Sequence, residues 1–398
     1  MPRQFVIYRI CEEKLPDQTG GESQNLFGMG KSKTWVLVAG FRDRSFIRTR
    51  IALDMATYAG LSYTPELILA DAYLNGEYCG LFYFGEKIEV SSSRVDIDDL
   101  EKATEAVNDR DLSLYSAKST QNADGSKAKW YDIPNDPEDI TGGYLLRLES
   151  VYDYKNRPSA YVTKRNNQVQ VLSPKYASKE QMQYVIRMMR SLENAIFAKD
   201  GIDPETGKHY SEIIDVHSSV YNYTLQECMM NRDANLNSQY YYKPSDSESS
   251  LLYAGPIWDF DASLGSSASK SKITPMNPEA FWVNKDIHTK TWPCALYAHS
   301  DYQEQVREAW NDTFKSAMDI LLGEGKDPTG VLLSIDEYAD MVEQAAEMDI
   351  LRWESLNYNK NNPASKKTGK TFSSNITYLK SFVRARRDWL DTQWGSGS

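Results

Sequence analysis

The sequence predicts an α+β chain of two lobes: a small mixed lobe over residues 1–100 and a larger, mainly helical lobe over 101–394, with 395–398 as a tail. Three observations lead there. Short β-rich runs surround a single helical pattern early in the chain, apolar residues recur at helical spacing from Ser178 onward, and 398 residues are too many for one compact core.

In the first lobe, Trp35 to Ala39 is a short apolar β-rich run ended by Gly40. Ser45 follows as an N-cap candidate, and Phe46, Ile47, Ile51, Met55 and Ala59 recur at helical spacing up to a stop at Gly60. Leu67 to Leu74 reads as a strand, Asn75-Gly76 as a hairpin turn, and Cys79 to Val90 as the returning strand. From Asp96 to Pro137 the chain is charged and rich in Gly, Ser and Asn. It reads as a connector with a surface insertion, with Asn122 to Gly125 at a loop tip.

Strands are predicted at Tyr144–Leu148 and Val169–Leu172, the second halted by Pro174. Ser178 with Gln181 forms a capping-box pattern, opening a helix whose buried stripe is Met182, Val185, Ile186, Met189, Leu192 and Ile196. A second helix runs from Val216 to Met230 behind an Asp215 cap. Beyond Pro293 the pattern is helical, and a last helix spans Ile376 to Trp394.

Composition narrows the function classes. With 41% hydrophobic and 25% charged residues, this is the make-up of an ordinary globular chain, and no apolar run approaches the ~20 residues of a membrane span. Met1 to Ile10 lack the apolar stretch of a secretory signal. A net charge of −11 argues against a nucleic-acid-coating surface and is compatible with a basic partner. Cys11, Cys79, Cys228 and Cys294 form no CxxC pair, so buried thiols are expected rather than a disulfide scaffold or zinc site. The four histidines form no ligand cluster; His217 is expected to cap or face solvent.

The informative stretch is Asn231 to Gly265. A helix ends at Met230 and a polar loop, Asn231 to Ser238, follows; then come two β-like runs, Gln239–Lys243 and Leu251–Ala254, which lead into Trp258-Asp-Phe-Asp261. Protein kinases place a catalytic loop, two short strands and a metal-binding Asp in this order. Asp233 and Asp259 stand 26 positions apart, enough for two strands and a turn to bring both carboxylates to one cleft. In that arrangement Asp233 orients or deprotonates an acceptor hydroxyl, Asn237 offers an amide oxygen to Mg²⁺, and Asp259 is the main metal ligand. Asp261 faces the same cleft if the backbone there is extended. Asn and Asp also cap turns after helices, and neither N-R-D nor D-F-D means much alone. The ordered combination carries the reading. Arg48 and Lys87 are the candidate cations for the phosphates, Glu86 a candidate at the adenine end, and Trp258 a core residue. Paired carboxylates of a hydrolase need a fixed separation across the substrate, and Asp259 and Asp261 on one segment are poorly placed for it.

These residues resemble the CotH (spore-coat protein H) kinase family over nearly the whole chain. Asn25 to Met29 with Lys33 to Leu37, Asp43 to Arg48, Leu74 to Leu81 with Glu86, Gly142 to Tyr144, the Asn231/Asp233 loop, Gly255 to Asp261, and Arg386 with Trp389 follow the family's order. Arg3 to Ile10 stands where the family has a basic strand, with Tyr or Arg in place of Lys; the family's upstream Arg- and Gly-rich segment is expected to lie before this chain. The resemblance implies an atypical protein-kinase-like two-lobed fold, ATP with Mg²⁺ or Mn²⁺, and transfer to Ser or Thr of a protein substrate. It also implies a spore-coat, secreted or cell-surface setting. An inactive surface or spore-coat binding module of the same ancestry is the alternative.

Overall fold

The computed structural model describes residues 23–396 apart from 41, 150, 236, 267–274, 286–287 and 358–370. The Arg3–Ile10 segment and Cys11 lie outside the described residues.

Two short strands, β1 (Gln24–Asn25) and β2 (Lys31–Ser32), pair with each other. Next come β3 (Trp35–Val38), α1 (Arg48–Tyr58), β4 (Leu67–Leu74) and β5 (Glu77–Glu86). The last three strands form an antiparallel sheet in the order β3-β5-β4. The Asn75-Gly76 turn joins β4 to β5 with both residues at positive φ (52° and 83°), the geometry a two-residue hairpin requires. Along α1, Ile51, Ala52, Met55 and Ala56 are fully buried, and the helix stops before Gly60 at φ 75°. Ser45 is not its cap. The Ser45 hydroxyl instead donates to Asp43, whose second carboxylate oxygen takes the Arg48 N–H.

The second part, expected to be mainly helical, also carries a large sheet. After α2 (Leu100–Ala106), the strands β6 (Ala117–Gln121), β7 (Lys127–Tyr131), β8 (Tyr144–Glu149), β9 (Ala160–Val162), β10 (Gln168–Ser173), β11 (Gln239–Lys243) and β12 (Tyr253–Ala254) build a seven-stranded antiparallel sheet in the order β12-β11-β8-β10-β9-β7-β6. The stretch read as a connector supplies the β6–β7 edge hairpin, with Asn122–Gly125 at its tip as expected. Gly142 lets β8 enter the sheet beside β11. A Cβ there would lie 2.1 Å from the Ser245 nitrogen, so only glycine fits.

Helical structure does dominate past Trp292. α3 (Lys179–Phe197) starts on the Ser178/Gln181 capping box, and α4 (Val216–Met229) on Asp215, as their sequences require. α5 (Trp292–Tyr297), α6 (Ser300–Ala309), a π-helical turn at Trp310–Phe314, α7 (Lys315–Leu321), α8 (Ile335–Asn357) and α9 (Phe372–Trp394) complete the chain. No described helix is long and apolar enough to cross a membrane.

One apolar core takes in residues from Val36 to Trp394. Helix α8 returns to the N-terminal sheet. Asp349 accepts the Leu81 N–H at 2.7 Å, Trp353 donates its indole N–H to the Cys79 carbonyl at 2.9 Å, and Tyr338 donates to Asp54 on α1 at 2.6 Å. A fully buried Glu227–Arg386 ion pair ties α4 to α9; Glu227 also takes the N–H groups of Trp282 and Val283. Buried charges at this depth persist only when paired and hydrogen-bonded on every side.

Candidate functional site

The site grows from the end of α4. Met230 terminates that helix in the left-handed conformation, which turns the chain into the Asn231–Ser238 loop. Asn231 is fully buried and acts as the junction. Its Oδ1 accepts the Asp233 N–H at 3.2 Å, and its Nδ2 donates to the Asp259 carbonyl at 3.3 Å. Two backbone bonds tie the same segments together, from Arg232 N–H to the Ala262 carbonyl and from Leu264 N–H to the Met229 carbonyl. The β11–β12 ribbon thus folds the Asp259 segment back onto the Asp233 loop, as the sequence order led one to expect.

The side chains follow. Asn237 donates its amide to Asp233 Oδ1 at 3.3 Å, and the Ser238 hydroxyl donates to Asp259 Oδ2 at 3.2 Å. Asp261 Oδ2 accepts the Arg42 backbone N–H at 3.2 Å. Three non-glycine residues here, Ser238 (φ 54°), Asp259 (φ 68°) and Leu264 (φ 44°), sit at positive φ, a cost that surrounding structure must offset and that clusters at functional sites.

Electrostatics set the site apart. Burial, followed by the charge of Asp233, pushes Asp259 up to about 6, against the pull of Arg42 and Arg147. Burial and then the Asp259 charge push Asp261 up to about 8, with Asp43 adding to the rise. Carboxyls displaced upward by desolvation and by each other lack sufficient counter-charge, the condition a bound cation relieves. Among the described residues no three His, Cys, Asp or Glu side chains converge as a self-sufficient metal site. Mg²⁺ characteristically takes one or two protein carboxylates and completes its shell with phosphate oxygens and water, so this donor set fits a metal–nucleotide better than a free metal. A narrow cleft adjoins the acids. Val38, Gly40, Leu67 and Trp258 contribute to its walls together with Asp259 and Asp261. Its free space is only about 10 Å³, room for about one water molecule, so the walls must part to admit a larger ligand.

The structure gathers Asp233, Asn237, Asp259 and Asp261. It does not bring Arg48, Glu86 or Lys87 into hydrogen-bond or ion-pair contact with any of the three aspartates. Arg48 is buried in an ion pair with Asp43 at 2.6 Å and donates to Ser45 and to the Leu264 carbonyl. Glu86 is buried against Arg94, Tyr63 and the Glu66 N–H, and Lys87 faces solvent beside Glu89 at 3.5 Å. Trp258 packs against the core, as expected; Cys228 and Cys294 are buried thiols, whereas Cys79 on β5 is only half-buried. Sequence reasoning missed the linking role of Asn231 and the positions of Ser238, Arg42 and Arg147. Asn two residues before Asp is an Asx-turn signal and could have pointed to the first; nothing local pointed to the arginines.

An α+β protein whose helix–loop–hairpin unit collects acidic side chains at a cleft is the class this geometry defines. The chain belongs to the CotH kinase protein family, whose sequence model matches residues 8–390. No curated protein matches it in a sequence search.

Proposed function

We propose that this protein is an atypical protein kinase that transfers the γ-phosphate of ATP to Ser or Thr of a protein substrate. The observation that carries the reading is the joining of Asp233 and Asp259, remote in sequence, through Asn231 into one electrostatically coupled site. Family membership supports it, and the α+β build is compatible with a kinase-like small lobe over a larger one.

Phosphoryl transfer asks a protein mainly to position reactants and stabilise charge. ATP with Mg²⁺ or Mn²⁺ supplies the transferable group and the charge neutralisation. Asp259 is the principal carboxylate for the metal, with Asp261 and Asn237 as supporting ligands. The long-range repulsion between Asp259 and its neighbours falls when a cation lies among them. Asp233, held by the Asn237 amide, receives the hydroxyl proton of the acceptor. The acidic net charge favours a basic protein substrate.

The test is thermal stabilisation by ATP with Mg²⁺ or Mn²⁺, followed by transfer of labelled γ-phosphate to casein or myelin basic protein. Absence of any metal-dependent nucleotide shift sinks the reading and leaves an inactive surface module as the better account.

A further inference from the structure

A phosphate-binding site needs a cation that is not already committed. Arg48 and Arg386 are buried in ion pairs, and Lys87 lies beside Glu89. Arg147 bonds Glu149, Gln170 and Tyr240. Arg42 differs from all of these. It is exposed, and no described residue forms an ion pair with it. Its backbone N–H is fixed on Asp261, and its charge acts on both Asp259 and Asp261.

The segment that carries it is anchored at both ends of the acidic stretch. Arg42 N–H binds Asp261, and six residues on, the Arg48 guanidinium binds the Leu264 carbonyl at 3.2 Å. Between them Asp43 organises the turn, accepting from the Ser45 N–H, the Ser45 hydroxyl, the Arg48 N–H and the Arg48 guanidinium. Gly40, just upstream, contributes to the cleft wall. A buried Asp43–Arg48 pair holds a short loop beside the cleft, and that loop presents the Arg42 guanidinium to solvent near two carboxylates.

We propose that the segment from Arg42 to Ile47 ahead of α1 flanks the phosphates, and that Arg42 is the cation that meets the terminal phosphates of the nucleotide. Asp43 and Arg48 are positioning residues that set the loop. This rests on the kinase reading of the same site. Guanidinium suits the task because its planar fork matches phosphate oxygens in pairs, and it stays charged at every working pH. Lying beside the acids rather than among them, it would be free to pair with phosphate oxygens that a metal held by Asp259 would leave unneutralised.

The experiment measures binding of Mg-ATP, Mg-ADP and adenosine by calorimetry to the wild type, Arg42→Ala, Arg42→Lys and the exposed-lysine control Lys326→Ala, with thermal unfolding to confirm that each is folded. Arg42→Ala is expected to weaken Mg-ATP by about tenfold or more, as loss of a charge-assisted hydrogen bond does. Adenosine should be unaffected, Mg-ADP should lose less, and Arg42→Lys should recover part of the loss. A wild type that binds Mg-ATP beside an Arg42→Ala variant of equal affinity overturns the assignment of Arg42 alone. A wild type that binds no Mg-ATP overturns it together with the kinase reading.

Discussion

The side-chain amide of Asn231 donates to the backbone carbonyl of Asp259 while its oxygen takes the Asp233 N–H, so one buried residue sets the spacing of both aspartates. Asn231→Ala should leave a folded protein, because only neutral hydrogen bonds are lost, at a cost of about 1–3 kcal/mol for the groups left unpaired. Phosphate transfer should fall by about tenfold or more while the KM for ATP changes little. Steady-state kinetics and urea unfolding of the same preparation check both halves.

Asp259 is a burdened carboxylate at positive φ, and asparagine tolerates that backbone at least as well. Asp259→Asn is expected to unfold at a higher temperature than the wild type without metal, and to lose the further stabilisation that Mg-ATP gives. Thermal scans with and without 10-fold excess chelator over metal show it. Unchanged Mg-ATP stabilisation removes Asp259 from the site.

Asp233→Asn should separate binding from turnover. The Asn237 contact can re-form with an amide, so Mg-ATP affinity should stay within about threefold, while transfer to a protein substrate drops by roughly 100-fold or more, the usual scale of a lost general base. Calorimetry paired with a labelled-phosphate assay distinguishes the two.

Asp261 is pushed up to about 8, whereas an unfolded chain releases such a proton near the ordinary ~3.9. Between those values the native state holds more protons than the unfolded one, so stability falls as pH rises from about 4 to about 8. Saturating Mg-ATP should flatten that slope by stabilising the ionised acids. Urea midpoints at pH 5, 6, 7 and 8 test the sign; a midpoint that climbs with pH contradicts it.

Breaking the Asp43–Arg48 pair leaves a buried charge without a partner. Arg48→Ala should cost about 3–5 kcal/mol, while Lys87→Ala, at a solvent-facing pair, should cost no more than about 1 kcal/mol and leave Mg-ATP binding intact. Chemical denaturation ranks the two.

Local signals were readable in advance where they have local causes. The Ser178/Gln181 box, the Asp215 cap and the Asn75-Gly76 turn act through residues a few positions apart, and each lies where the sequence places it. The order of loop, ribbon and acidic segment likewise survives folding. The β6–β7 hairpin was hidden because every β6 residue is exposed, so no alternation of apolar and polar residues marks it. Arg48 misled because residue type gives charge, not burial: its partners Asp43 and Ser45 are near in sequence, but the Leu264 carbonyl that its guanidinium also reaches is 216 positions away. Arg42 was invisible for the same reason, since its neighbour Asp261 is 219 positions distant.

Helix α8 gives Asp349 and Trp353 to backbone groups of β5. A fragment cut before Ile335 would leave those strand groups bare and take the Tyr338 hydroxyl from the buried Asp54 on α1. The early strands therefore cannot be borrowed as an independent cassette. Strands and closing helices depend on each other, and a shortened chain should show itself through protease sensitivity near Leu81.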